Sequence, residues 1–518
     1  MTTKQSIEKV LWSACDSFRG KIDSSRYKDY ILSMLFVKYL SDVYAETREK
    51  YVKQYDGDLR RVERAMSRER FVMDETSTFT YLYNNRNDAE IGQKINVALA
   101  AIENNNSAKL HNVFRAIDFN STVDFGEPKE KNAILKNLLE DFKDLDLRPS
   151  QLNSDDIIGD SYEYMIANFA SDAGKKGGEF YTPNKVSDLV ARLVQPKEND
   201  RIYDATCGSG GLLLKAFKQI PSGKARIYGQ EKNMQTWALC RMNMFLHNVD
   251  DAVIWHGDTL ANPGNIEDDK LMKFQCIVAN PPFSLDKWDS GFLGDAETDA
   301  KGKKPKMSAE LDPYRRFDWG IPPTSKGDYA FVMHMLHSLD DANGRMGVIL
   351  PHGVLFRGAS EGRIRRTIIE NFNFLDAVIG LPANLFYGAG IPACILIFRK
   401  DRGNNNKVLF IDASGDGNFE KGKNQNILRE CDVERIVNTY EHYKSDINFT
   451  GEDKYSHVAT LEEIKENDYN LNIPRYVDTF EEEEIIDIDE VKQNIANIEA
   501  ELAEVQAQMK KYMEELGL

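Results

Sequence analysis

The feature that most constrains the fold is a change of hydrophobic period near residue 200. From there, short apolar runs rich in β-branched and aromatic residues alternate with stretches whose apolar residues recur every three or four positions. The runs are Arg201–Tyr203, Arg226–Tyr228, Ala252–Trp255, Phe274–Ala279, Met346–Leu350, Phe374–Ile379 and Ala393–Phe398. Helical patterns fill 211–219, 234–247, 328–339 and 359–371. Buried strands separated by helices are βαβ units, so the spacing predicts an α/β fold on a parallel, doubly wound sheet. Residues 284–327 read as one long polar loop rich in Pro, Gly, Asp and Lys, and a loop of that length in a compact domain is usually functional or mobile.

On either side of this region the period is helical only. Ile31–Tyr39, Ile91–Ile102 and Ala133–Phe142 carry apolar residues at i, i+3 and i+4, with no catalytic constellation among them. At the far end Ile488, Val491, Ile495, Ile498, Leu502, Val505, Met509, Tyr512 and Leu516 alternate at spacings of three and four. Four heptads with polar flanks predict a coiled-coil helix that pairs with another helix. The boundaries that follow are 1–155 for a helical domain and 156–415 for the α/β domain. An extension covers 416–480 and the coiled-coil helix 481–518.

Charge and cysteine usage narrow the function classes. The net charge of −17 argues against a freestanding nucleic-acid binder, because neutralising phosphates takes Lys and Arg. Residues 481–518 carry −9 of it, however, leaving −8 on the other 480 residues. A nucleic-acid substrate therefore stays open if basic side chains are local or a partner supplies the grip. Arg357, Arg363, Arg365 and Arg366, with Lys301, Lys303, Lys304 and Lys306 in the long loop, read equally as phosphate contacts or as a solvated face. Six cysteines stand singly with no CxxC pair, which suits reduced cytoplasmic thiols. No apolar leader or membrane-length run occurs. The eight histidines show no metal-ligand spacing, so no metal is expected, and His334 reads as helix packing.

Two motifs carry chemistry. In Asp204-Ala-Thr-Cys-Gly208-Ser-Gly210-Gly211, a strand runs through a glycine turn into a helix. Glycines let the backbone approach a ligand closely, and the helix start offers free N–H groups. The spacing is not that of the dinucleotide fingerprint GxGxxG. Glu231 ends the next strand, where an acid can take two ribose hydroxyls. A ligand with a ribose and no pyrophosphate fits. The second motif is Asn280-Pro281-Pro282-Phe283 after the run Phe274–Ala279. Two prolines fix φ and remove two donors, leaving carbonyl acceptors at a strand tip. Asn280 adds another acceptor, and Phe283 a face on which a base can stack.

This ordered set resembles S-adenosylmethionine-dependent amino-methyltransferases acting on adenine in DNA. More closely, the chain resembles the modification subunit of type I restriction–modification systems. Its length, its helical N-terminal region, the block Gly177-Gly-Glu179-Phe-Tyr-Thr-Pro183 before the glycine turn and its C-terminal helix all point there. The resemblance implies a Rossmann-like methyltransferase sheet and S-adenosylmethionine as cofactor. It implies that Glu179, Phe180, Tyr181, Thr182, Pro183 and Asn184 line the methionine end of that cofactor. Ser209, Gly210 and Gly211 would sit against it, with Asp204 near its amino group, Glu231 on the ribose and Asp258 at the adenine amino group. Asn280 and the Pro281 carbonyl would accept from N6 of a flipped-out target adenine, with Pro282 stiffening the turn and Phe283 stacked on the ring. Cys207, where small or apolar residues are common, is expected to be a buried filler.

The implied partners are duplex DNA and a specificity subunit that carries two modification subunits. The sequence leaves open whether a restriction/translocase subunit joins them. Two other readings keep the same residues: an amino-methyltransferase acting on protein glutamine or an RNA base, and a non-catalytic structural subunit. The intact Asp204, Glu231, Asp258 and Asn280 speak against the second.

Overall fold

In the computed structural model, which describes residues 1–154, 156–172, 181–293, 307–388, 390–423, 425–479 and 488–517, all seven apolar runs contribute strands to one sheet. In chain order these are β1 Arg201–Asp204, β2 Arg226–Glu231, β3 Val253–His256, β4 Cys276–Ala279, β5 Arg345–Pro351, β6 Leu375–Gly380 and β7 Ala393–Arg399. Two further strands, β8 Val408–Asp412 and β9 Ser456–Ala459, complete the order β9-β8-β6-β7-β5-β4-β1-β2-β3. β3, β2, β1, β4 and β5 pair in parallel, as do β6 and β8. β7 runs antiparallel to both β5 and β6, and β9 antiparallel to β8. The parallel sheet expected from the alternation is therefore corrected to a mixed one. A parallel return needs a crossover, normally a helix. The connection 381–392 holds no helix among its described residues, so the chain doubles back and β7 slots between β5 and β6.

Side chains along the strands alternate between two cores, as the period of two requires. Ile202, Cys276, Val278, Ile349 and Ile411 face one core, and Tyr203, Ile277, Ala279, Val348 and Phe410 the other. The first core is continuous with the N-terminal helices, among them Lys4–Phe18, Ser24–Gln54, Ile91–Asn105, Pro128–Phe142 and Ile157–Asp172. The helix Met234–Leu246 is where they meet the sheet: the rings of Phe36 and Phe71 lie 6.2 and 5.6 Å from that of Phe245. Arg70 bridges the same join, pairing with Asp250 and donating to the Phe245 carbonyl at 2.7 Å. Residues 1–477 make one compact unit and 478–518 a second. In the second, Ile488–Glu515 is a single helix on which Val491, Ile495, Ile498, Leu502, Val505, Met509 and Tyr512 are all exposed. No helix among the described residues is long and apolar enough to cross a membrane.

The long polar loop is folded where it is described. Residues 294–306, and with them all four loop lysines, lie outside the described residues. On the flanks Trp288, Met307 and Phe317 enter the second core, and Arg316 is fully buried. Its guanidinium donates to Asp312 at 2.8 Å, to the carbonyls of Thr259 and Leu260 at 3.2 and 2.6 Å, and to His334 Nδ1 at 3.1 Å. A guanidinium only donates, so the neutral His334 ring carries its proton on Nε2 and gives it to the Tyr203 hydroxyl, 2.9 Å away. Burial, with the Arg316 charge adding to it, holds the His334 pKa well below the usual imidazole range. The arginine cluster is largely internal too. Buried Arg365 donates to the carbonyls of Tyr469, Arg357 and Val354, and Arg357 pairs with Asp328 and Glu361. These two hold the fold together, which leaves Arg363 and Arg366 as the exposed pair, the latter bonded to Glu370 at 2.7 Å.

Candidate active site

The glycine turn between β1 and the helix Gly211–Lys218 is built around two left-handed glycines, Gly208 at φ 53° and Gly210 at φ 84°. Room as well as conformation is restricted. A Cβ on Gly210 would come within 2.6 Å of Met244 Cε and 2.8 Å of Cys240 Sγ. Carboxylates pin the turn from below. Asp204 accepts from the Thr206 N–H at 2.9 Å. Glu231, at the tip of β2, accepts from the Gly208 N–H at 3.0 Å and from the Asn233 N–H at 2.7 Å. Cys207 packs its thiol 3.9 Å from that of Cys240, both buried.

Desolvation sets the electrostatics of this turn. Burial pushes the Asp204 carboxyl up to about 8, against the pull of the Thr206 N–H. Burial raises the Glu231 carboxyl as well, opposed by its backbone donors. With its carboxyl pushed up to about 8, Asp204 is largely protonated near pH 7.

The tip of β4 faces the same cavity. Asn280 donates from Nδ2 to Thr182 Oγ1 at 3.0 Å, which fixes the orientation of its amide. The other end of that amide, Oδ1, is buried without a hydrogen-bond partner, as is Thr206 Oγ1. An unpaired buried acceptor costs about 1–3 kcal/mol, so its presence needs a reason. Next to it, Pro281 is buried, and Ser284 takes φ 53° with its N–H bonded to Asp328 at 2.7 Å. Phe283 is half-buried and meets Phe386 edge-on at 5.6 Å, while Tyr181 lies 6.0 Å from Tyr387.

Of the residues singled out from the sequence, Tyr181, Thr182, Asp204, Ser209, Gly211 and Asn280 line one cavity. Glu231 and Asp258 lie at the neighbouring strand ends, joined by the Gly257 N–H to the Glu231 carbonyl at 2.9 Å. Asp258 accepts from the N–H groups of Leu260 and Ala261 and pairs with Lys232 at 2.8 Å. Pro183 and Asn184 open the helix Asn184–Val194, with Asn184 exposed and neither lining the cavity. Glu179 and Phe180 lie outside the described residues. Sequence reasoning missed Tyr387 and Phe386, which come from the β6–β7 connection and carry no local motif. It also missed that Glu231 anchors the glycine turn, and that Thr182 orients Asn280 across 98 residues of chain.

Comparison with known proteins follows the same line. A family model described as N-6 DNA Methylase matches residues 153–485, and one described as HsdM N-terminal domain matches 7–142. The chain is 31% identical over 561 residues to the type I restriction enzyme MpnII methylase subunit of Mycoplasma pneumoniae, covering 99% of this chain and 96% of that one. It is also 31% identical to the MjaVIII methylase subunit of Methanocaldococcus jannaschii, over 99% of this chain and 86% of that one. Among solved structures, the type I restriction–modification methyltransferase subunit from Streptococcus thermophilus superposes with a TM-score of 0.76 at 35% identity. That match covers 92% of this chain and 100% of the other.

Proposed function

The chain belongs to the N-6 DNA methylase family, as a methylase subunit of the type I restriction–modification kind, and from that premise we propose that it methylates N6 of a flipped-out adenine in duplex DNA, with S-adenosylmethionine as methyl donor. The observation that carries this reading is the Asn280 amide: Nδ2 is tied to Thr182 while Oδ1 is buried, unpartnered and on the cavity shared with the glycine turn.

The residues present fit that donor. Gly208 and Gly210, both at positive φ, turn the backbone tightly into the helix start, where Gly208, Ser209 and Gly211 line the cavity. Each Glu231 oxygen accepts one N–H, and an ionised carboxylate has about four lone-pair sites, so capacity remains for ribose hydroxyls. Asp204 takes the amino group. Tyr181 and Thr182 close the methionine side, next to Glu179 and Phe180 in sequence, and Asp258 receives the adenine amino group. When bound, the donor supplies an activated methyl on its sulfonium. Asn280 Oδ1 and the Pro281 carbonyl accept from the two N6 hydrogens of the target. That pulls the nitrogen lone pair out of the ring and stabilises the positive charge that develops there. Phe283 holds the base by stacking, and in-line placement supplies most of the remaining gain. The test is N6-methyladenine formation in duplex DNA by the chain together with its specificity subunit. Transfer to protein or RNA but not to DNA would overturn the reading.

Asp204 gives the proposal a pH signature. With a carboxyl pKa of about 8, Asp204 is largely protonated at pH 7. A cofactor ammonium beside it favours the carboxylate, so binding should release a proton. Calorimetry at pH 7 in buffers of different ionisation enthalpy should detect it, and Asp204→Asn should remove it. Without cofactor the raised pKa acts on stability in the opposite sense. Its contribution is complete below the unfolded value of 3.8 and is lost as pH rises through about 8.

Assembly rests on the C-terminal helix. Its apolar seam is exposed along its length, and a lone helix is marginal in water. Pairing with the specificity subunit, two methylase subunits to one, would bury it. Deleting residues 485–518 should spare cofactor binding and prevent that assembly, as read by size-exclusion chromatography with light scattering. An unchanged complex mass would assign the helix another role.

A further inference from the structure

Behind the glycine turn, away from the cavity, lies a second constellation that methyl transfer does not use. We propose that Asp160, Glu163 and His247 form a binding site for one divalent first-row transition cation of the zinc or manganese type. One ligand atom from each of the three lies within 4.8 Å of the other two. Asp160 and Glu163 occupy one face of the helix Ile157–Asp172, three residues apart, and His247 follows the helix Met234–Leu246.

His247 is 6% exposed, and both of its ring nitrogens are buried with no hydrogen-bond partner. A neutral imidazole has one donor and one acceptor to satisfy, and buried polar atoms are almost always paired. Glu163 Oε1 is buried and unpartnered beside it. The backbone makes room for the ring: a Cβ on Gly159 would lie 2.6 Å from His247 Nε2, so only glycine lets the imidazole lie over this turn of helix. Lys218 sits 3.2 Å from Asp160 and 3.5 Å from Asp156, so it keeps a partner when Asp160 turns to an ion.

The donor set selects the ion. Magnesium and calcium take oxygen ligands, whereas an imidazole nitrogen beside two carboxylates suits zinc, manganese or cobalt. Donors around such an ion lie about 2.0–2.2 Å from it, so side-chain rotations of the order of an ångström close the site. Three protein donors leave a position for water. The site is positioning rather than catalytic. Glu163 Oε1 lies 3.5 Å from where a Cβ on Gly211 would be. Asn243, on the helix Met234–Leu246, donates from Nδ2 to the Ser209 carbonyl at 3.0 Å. An ion here ties the helix 157–172 to the helix 234–246 directly beneath the turn.

The test uses the untagged full-length chain, stripped with a chelator and titrated with Co²⁺ as a spectroscopic probe, with Zn²⁺ and Mg²⁺ as competitors. One Co²⁺ per chain is expected, with visible ligand-field bands and a raised thermal midpoint. Zn²⁺ should displace it and Mg²⁺ should not. Glu163→Gln keeps the shape of the side chain and should weaken binding at least about tenfold, and His247→Ala should abolish the bands. If His247→Ala fails to fold, Glu163→Gln decides alone. No stoichiometric Co²⁺, binding unaltered in Glu163→Gln, or equal competition by Mg²⁺ would each overturn the proposal. None of these outcomes depends on methyl transfer.

Discussion

Asn280→Ala is expected to lower the methyl-transfer rate by about 10²–10³-fold while leaving cofactor affinity close to that of the unaltered chain. Alanine removes the Oδ1 acceptor and also the Nδ2 bond to Thr182, yet it fills no space that the cofactor needs. The loss therefore falls on the developing charge at the target nitrogen rather than on ground-state binding. Asn280→Asp separates the two functions of the amide. It keeps acceptor oxygens and loses the donor to Thr182, so it should retain more activity than Asn280→Ala. Single-turnover transfer of labelled methyl to duplex DNA, set beside calorimetric cofactor binding, measures both quantities. Near-normal turnover in Asn280→Ala would remove Asn280 from the reaction.

Arg316→Met should destabilise the chain by about 3–5 kcal/mol, the usual cost of stranding one member of a buried ion pair. Arg316 and Asp312 are both wholly inaccessible, and the guanidinium also satisfies two carbonyls and His334 Nδ1. Removing it leaves the Asp312 charge with backbone N–H donors but no cation, and three buried acceptors without a donor. The same network clamps the segment after Phe283 onto the second core through Phe317 and Trp288, whose rings are 5.1 Å apart. Urea unfolding should show a lower midpoint with little change in slope. The pair Asp312→Leu with Arg316→Met, which removes the charge as well, should recover much of the loss. Equal destabilisation by the single and double substitutions would mean that packing, not the stranded charge, sets the cost.

The sequence by itself determined what is local in this protein. Apolar runs placed the β1–β7 strands to within three residues at every end, because strand and helix periods are set by neighbours at i+2 and i+4. The glycine turn was legible because glycine takes a positive φ at no steric cost, as Gly208 and Gly210 do here. The strand tip at Asn280 was legible because two prolines there can do little else. Tertiary structure decided the rest. It turned β7 antiparallel, since a short connection with no helix among its described residues does not cross over. It folded the flanks of the long polar segment onto a core through Arg316, a charged residue whose burial no hydropathy pattern announces. It set Thr182 against Asn280, and Asp160 and Glu163 against His247, pairing residues some 80 to 100 positions apart. Such partnerships follow from which helix packs on which strand, and packing is chosen by the whole core rather than by any window of sequence.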